Sequence, residues 1–294
     1  MIQTWKIIDQ HIETIQLQDA TSLDAITRQL PDGYYSTFRT YDGCTRVLGL
    51  KAHLRRLPDV DVSSLRRYLL QLLEPFRLNE ARVRVMLTFA GEIYISIESL
   101  KLLPREVYEK GVHVETTEIQ RDNPRLKSTV FISASGDERK HISQLGIFEA
   151  LLTKNGKILE GMTSNFFYIR PEWSEERSLR HAQSKGASSA GLTSISSSAR
   201  RGIIYTAQRD ILLGVTRRTI IRVARGRGVE VEYQPLKLNQ LANVNEAFIT
   251  SSSRGIVPVV QIDNVKIGEG RPGKITKILM SAYDEYVLSH AEKI

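Results

Sequence analysis

The stretch from residue 81 to 98 constrains the fold more than any other. It reads Ala-Arg-Val-Arg-Val-Met-Leu-Thr-Phe-Ala, then Gly91, then Glu-Ile-Tyr-Ile-Ser-Ile-Glu. Apolar and polar residues alternate on both sides of the glycine, which predicts an antiparallel hairpin with one buried face. Arg82 and Arg84 are two apart and so share a face of the first strand. Further strand patterns occupy residues 4–8, 33–41, 112–115, 229–233 and 246–250. Residues 149–152 and 157–159 flank Asn155-Gly156 as another hairpin. Asp42-Gly43 predicts a turn, with 45–50 returning beside 33–41.

Helical patterns alternate with these strands. A short helix with a polar N-cap is expected over 22–30, and an amphipathic one over 61–76, where Leu65, Leu69, Leu70, Leu72 and Leu73 are apolar. Others are expected from Lys51, over 133–149, after Gly214 and over 275–290. A chain of 294 residues can bury two cores. Proline and charge mix between Leu103 and Gly111, which predicts a domain join. The expectation is a small α/β domain over 1–106 and a larger domain over 107–294. Residues 172–202 are rich in Ser, Arg, Ala and Gly and read as a flexible, low-complexity insertion.

Lys and Arg number 41 against 33 Asp and Glu, a formal net charge of +8. The basic residues are dispersed among the acids rather than gathered in one stripe. The densest run, Arg217 to Arg227, lies on a helical pattern with apolar Ile220, Ile221, Val223 and Ala224, and reads as a solvated helix face. No nucleic-acid partner is expected; attraction of anionic substrates is a compatible use of the charge. No apolar stretch approaches the length that spans a bilayer, so no membrane partner is expected. Cys44 is the single cysteine, and the first six residues lack the basic-then-apolar design of a signal peptide, so a cytoplasmic location is expected. His53 has no partner set for a metal or a triad and reads as capping or packing.

Two segments carry the chemistry. Lys127-Ser128-Thr129 follows Asn123-Pro124-Arg125-Leu126, where Pro124 disfavours helix at Asn123 and predicts an extended approach. Glu160-Gly161 precedes Met-Thr-Ser-Asn165 and an apolar strand. Alone, a loop lysine is ordinarily a solvated charge and Glu-Gly ordinarily a turn. A lysine amine forms Schiff bases with carbonyl compounds, and pyridoxal phosphate sites add an acidic partner for the ring nitrogen. Two downstream stretches suit a phosphate: Leu213-Gly214-Val215-Thr216-Arg217 opening a helix, and Ser251-Ser252-Ser253 after a strand. Gly214 is expected to let the chain turn tightly. Gly268 to Thr276 nearly spells a nucleotide P-loop, but Ile275 stands where a magnesium-binding Ser or Thr is needed. A nucleotide- or nucleic-acid-binding protein is the alternative from another class.

The ordered set resembles the class IV, fold type IV pyridoxal phosphate enzymes: branched-chain aminotransferases, D-amino acid aminotransferases and aminodeoxychorismate lyases. The matching stretches are Pro124 to Ser128, Glu160 to Asn165, Leu213 to Arg217, Ser251 to Ser253 before Pro258-Val259, and Gly268 to Thr276. The resemblance implies an α/β fold with a small α/β domain and a larger pseudo-barrel. It implies pyridoxal 5′-phosphate as cofactor, held covalently by Lys127, the catalytic residue. Glu160 would face the ring nitrogen, with Asn165 beside it. Arg56, Gly214, Val215, Thr216 and Ser252 would hold the phosphate. Tyr35, Arg39, Arg84 and the amide of Ser253 would face the substrate. It also implies a homodimer or higher homo-oligomer, acting on an amino acid and a 2-oxo acid. Branched-chain L-amino acids with 2-oxoglutarate are the favoured pair; a D-amino acid transaminase or an aminodeoxychorismate lyase uses the same frame. One departure is Ile132, where branched-chain members carry a tyrosine five residues past the lysine.

Overall fold

The computed structural model describes residues 2–170 and 202–294. Of the 172–202 insertion expected from the sequence, all but Gly202 lies outside the described residues. The first sheet contains β1 (Ile2–Ile8), β2 (His11–Thr14), β3 (Gly33–Arg39), β5 (Ala81–Thr88) and β6 (Ile93–Ser99), in the order β2-β1-β6-β5-β3. The β5–β6 hairpin forms around Gly91, whose φ of +86° suits glycine. One face of this sheet packs under α2 (Leu50–Leu54) and α3 (Val62–Leu73) in a core that includes Phe38, Leu69, Val83 and Ile95. Asp61 caps α3 by accepting from the Ser63 and Ser64 amides. Ser22 likewise caps α1 (Leu23–Thr27).

The expected return strand over 45–50 is cut to β4 (Arg46–Val47), and its partner is not β3. Cys44 takes a φ of +60° and Leu50 begins α2, which leaves one antiparallel bridge, Tyr41 with Arg46, as the return pairing. β4 instead pairs with β17 (Glu292–Lys293). β3 pairs with β5 on one side only, so its other edge is free for a different segment.

After α4 (Arg105–Lys110) the second sheet begins. Its strands are β7 (Val112–Thr117), β8 (Glu149–Lys154), β9 (Lys157–Gly161), β10 (Asn165–Ile169), β11 (Ile203–Thr206), β12 (Glu230–Tyr233), β13 (Leu236–Lys237), β14 (Glu246–Ser251), β15 (Gly255–Ile262) and β16 (Val265–Lys266). The path β10-β14-β15-β7-β8-β9 closes on itself because β9 also pairs β10. That closing pair is Glu160 opposite Asn165. The interior is filled by Val114, Leu151, Phe166, Tyr168, Ile249 and Val257. Outside, α7 (Val215–Gly226) and α8 (Lys274–His290) pack on Phe167, Ile204 and Phe248.

Two local expectations are corrected. The helix expected over 133–149 is α5 (Val130–Ala134) and α6 (Gly136–Gln144), and Glu149 already starts β8. The break falls at Ser135, whose hydroxyl donates back to the Phe131 carbonyl at 2.6 Å. Gly146, at φ +69°, turns the chain out of α6. The approach to Lys127 is a turn rather than extended: the Leu126 amide donates to the Asn123 carbonyl at 3.2 Å. Asn123 Oδ1 accepts from the Arg125 amide, an Asx-type arrangement that places Pro124 where its fixed φ is favoured.

The free edge of β3 takes up the lysine segment. The Tyr35 amide donates to the Lys127 carbonyl at 2.9 Å, and the Thr129 amide donates to the Gly33 carbonyl at 2.9 Å. The Gly33 amide donates to Thr129 Oγ1. A Cβ on Gly33 would collide with the Leu87 carbonyl oxygen of β5. Gly33→Ala should therefore cost about 1–3 kcal/mol, as overpacking against fixed backbone does. Urea denaturation of both proteins checks this; an unchanged midpoint would show that the contact relaxes freely.

Candidate active site

A cavity of about 330 Å³ opens between the face of the first sheet and the mouth of the barrel. Lys127, Glu160, Arg56, Asn165, Gly214, Val215, Thr216, Ser252 and Ser253 all line it, together with Tyr35 and Arg84. Residues that lie far apart in sequence thus share one hollow. Arg39 does not line it. Arg39 lies two residues beyond Thr37, and its guanidinium stacks on Tyr41, 4.6 Å from the ring centre, beside a separate small cleft.

Lys127 is half-buried, and its Nζ lies 4.9 Å from the centre of the Tyr35 ring. Burial, and then the like charges of Arg56, Arg84 and Arg121, hold its amine well below the usual lysine range. Glu160 is buried at the barrel closure. Its Oε2 accepts from the Leu212 amide at 3.0 Å and from Asn165 Nδ2 at 3.1 Å. Its Oε1 accepts from Arg121 Nε at 3.0 Å. Burial pushes this carboxyl up, to about 7, while Arg121 and the Leu212 amide pull it back. Arg121 also stacks on Phe131, 3.9 Å from the ring centre, and donates to the Met162 carbonyl.

The phosphate-type turn is built as follows. Gly214 is the N-cap of α7 and offers no side chain to the first amides of the helix. Its φ of −62° is open to any residue, so the expected tight turn is not the reason for glycine here. The reason is space: a Cβ would collide with Asn165 Oδ1. Thr216 Oγ1 lies 3.2 Å from Ser252 Oγ, and Ser252 Oγ lies 3.3 Å from His53 Nε2. The other nitrogen of His53 lies 2.9 Å from Ser36 Oγ. Burial, then Arg56, Lys127 and Arg218, hold this imidazole well below its ordinary range, so it is neutral. His53 packs as expected, but against the very hydroxyls that face the cavity. Arg56 donates to the Leu213 carbonyl at 3.2 Å, and burial followed by Arg218 lowers its guanidinium to about 10.

Arg84 is bound within the protein. Its Nε donates to Thr37, its Nη1 to Thr27 and the Leu23 carbonyl, and its Nη2 to Asp24 at 2.7 Å. Arg139 of α6 reaches the other oxygen of Asp24 at 2.9 Å. Burial pushes the Asp24 carboxyl up, but Arg84 and Arg139 outweigh it and hold it at about 2. Arg254 pairs with Glu149 at 2.8 Å. Sequence reading missed Arg121, Arg139, Arg254 and Asp24. Arg121 stood in the approach to the lysine, but nothing local pointed it at Glu160.

A phosphorylated pyridine aldehyde fits this donor set. The site offers an amine, a buried carboxylate, an uncapped helix N-terminus, two hydroxyls and an arginine. Buried polar atoms on the cavity wall lack partners among the described residues: Arg121 Nη1, Arg82 Nε and Thr250 Oγ1. The Gly268–Thr276 stretch is different. Glu246 accepts from the Ile275 and Thr276 amides and the Thr276 hydroxyl, so a carboxylate already fills the N-terminus of α8. A nucleotide phosphate has no place there.

The family model for amino-transferase class IV matches residues 33–262. This chain belongs to the class IV aminotransferases and is a pyridoxal phosphate-dependent enzyme. It is 24% identical over 296 residues to the D-alanine aminotransferase of Bacillus licheniformis, covering 90% of this chain and 91% of that one. It is 26% identical over 286 residues to the aminodeoxychorismate lyase of Bacillus subtilis, covering 87% and 85%. The crystal structure of the Escherichia coli branched-chain amino acid aminotransferase has the same fold, at a TM-score of 0.69 and 19% identity over 96% of this chain and 93% of that one.

The raised Glu160 carboxyl has a consequence for the cofactor-free protein. A folded-state value near 7 against an ordinary 4.5 means that the folded form binds this proton more tightly. The resulting stability is full below pH 4.5 and is lost as pH rises through 7. The loss amounts to about 3 kcal/mol at most, at 1.36 kcal/mol per unit. Urea denaturation at pH 5 and pH 7.5 should show this slope in the wild type and its absence in Glu160→Gln.

Proposed function

We propose that the enzyme moves an amino group between an amino acid and a 2-oxo acid, with Lys127 as the catalytic residue. The observation that carries this is the meeting of Lys127, Glu160 and the α7 N-terminus around one cavity. When bound, pyridoxal phosphate supplies an aldehyde for the amine and an electron-withdrawing ring. The chain supplies the rest. Burial and the neighbouring cations favour the neutral form of the Lys127 amine, so its Nζ can act as a nucleophile and can take and return the substrate α proton.

Glu160 would hold a proton for the ring nitrogen. Arg121, Asn165 and the Leu212 amide fix its orientation. The Val215 and Thr216 amides, Thr216 and Ser252 hydroxyls and Arg56 would bind the phosphate, since helix amides and a guanidinium fork both favour it. Tyr35 and the Ser253 amide remain candidates for substrate contact. Arg84, with its donors already engaged, is read as a frame for the cavity wall. The join between Leu103 and Gly111 is read as the division between a domain over 1–106 and one over 107–294, with Leu103 on the cavity wall. A cytoplasmic homodimer is the accompanying proposal.

Branched-chain L-amino acids, D-amino acids and aminodeoxychorismate are the donor classes that the relatives bring forward. Ile132 bears on this choice. It is fully buried among Tyr35, Met86 and Tyr94, and carries no hydroxyl to the cavity.

Purified protein incubated with pyridoxal phosphate should develop a visible cofactor band in the wild type. Borohydride should then fix the cofactor through denaturation. Lys127→Ala should retain no cofactor after this treatment, and its kcat should fall by about 10²–10⁴-fold or more. Cofactor fixed equally in the variant would move the role to another lysine.

A further inference from the structure

We propose that a second cleft, on the Leu213–Arg218 side of the phosphate turn, binds a small polyanion of the polyphosphate or phosphate-ester class. This site goes beyond the transaminase reading and takes no part in it. The cleft holds about 600 Å³, against about 330 Å³ for the cavity around Lys127. Five cations line it: Lys51, Arg55, Arg56, Arg125 and Arg218. The start of α7 divides the two hollows. Gly214, Val215 and Thr216 line the first, while Leu213 and Arg218 line the second. Arg56 and Leu212 line both, and Arg56 Nη2 donates to the Leu213 carbonyl at 3.2 Å. The guanidinium of Arg56 therefore stands at the boundary, and the other four cations belong to the cleft alone.

The charge in this cleft has no counter-charge. None of the five cations forms an ion pair among the described residues. The lining carboxylate is Glu292, and it pairs with Arg66 at 2.8 Å. Arg56 and Arg125 donate to the Leu213 and Gln208 carbonyls, which carry no charge. Lys51, Arg55 and Arg218 are exposed. Lys51 and Arg55 stand four residues apart along α2 and its C-cap, a like-charge spacing that destabilises a helix. Cations gathered in this way repel one another, and a bound anion of several charges relieves the repulsion. A monoanion would neutralise only one of them. Guanidinium forks match phosphate oxygens through paired, charge-assisted hydrogen bonds. Ala52, Leu212 and Leu213 add an apolar part to the lining, and the volume is that of a small-molecule site. An extended nucleic acid calls for a stripe of cations along a surface, whereas these converge on one cleft.

The test uses holoenzyme whose cofactor has been fixed by borohydride, so that the cavity around Lys127 stays filled. Calorimetric titration with inorganic triphosphate is run in about 0.15 M salt, where charges are screened beyond about 8 Å. It should show one saturable site, binding triphosphate about tenfold or more tighter than orthophosphate. Replacing both Lys51→Gln and Arg55→Gln should weaken triphosphate about tenfold or more and leave the cofactor absorbance unchanged. A charge-matched pair outside the cleft, Arg222→Gln with Arg227→Gln, should leave the affinity as it is; both side chains are exposed on or just after α7. Arg218→Gln supplies an independent loss from the opposite wall. Equal weakening by the two pairs would show a general field rather than a site, and overturns the proposal. So does triphosphate held no more tightly than orthophosphate. Triphosphate bound only by cofactor-free protein would assign it to the phosphate turn around Lys127, which also overturns the proposal.

Discussion

The pairing of Lys127–Thr129 with the free edge of β3 holds the molecule's working parts together. Two backbone bonds, Tyr35 to Lys127 and Thr129 to Gly33, fasten the lysine segment of the barrel to the first sheet. The Thr129 hydroxyl adds a third bond from the Gly33 amide and itself donates to Asp32. An edge strand with unpaired amides must be satisfied by something. Here the satisfying segment carries the reactive amine. The same contact sets Tyr35 beneath Lys127 and seals Ile132 against Tyr35, Met86 and Tyr94. The cavity exists because the two sheets are tied at this point.

The second constraint is barrel closure at Glu160 and Asn165. Closing the path there buries a carboxylate that accepts from Arg121, Asn165 and the Leu212 amide. Gly214 must lack a side chain because Asn165 occupies the space above it. Phosphate turn and barrel closure are therefore one packed unit. Around it the field is strongly positive: Lys127 is depressed by burial and three arginines, and His53 by burial and its cationic neighbours. An enzyme whose cofactor and substrates are anions is well served by such a field. Arg217 shows how position alters a charge's role. Expected on a solvated face, it is buried and donates to the Ala207 carbonyl, while Arg218 remains exposed.

Much of this was legible in residue order. The β5–β6 hairpin, the amphipathic α3, the Asn155-Gly156 turn and the last helix follow from periods and turn residues that act over a few positions. Lys127, Glu160 and the Gly214–Thr216 turn stood out by their neighbours, and all line the cavity. The errors came where side chains or partners outside the local window prevail. Ser135 breaks a helix that periodicity carried through, Pro124 enters a turn set by Asn123, and β4 is diverted to the C-terminal strand.

By itself the sequence determined the chemical groups and their order: an amine, a carboxylate, a glycine-led helix start and a run of serines. It determined these because motif chemistry is short-ranged. Only the tertiary structure decided their charge states and company. Arg121 meets Glu160 across 39 residues, Arg84 meets Asp24 across 60, and Arg139 meets the same Asp24 across 115. No local pattern encodes which guanidinium shares which carboxylate, since that depends on how two sheets stack and how much water they exclude.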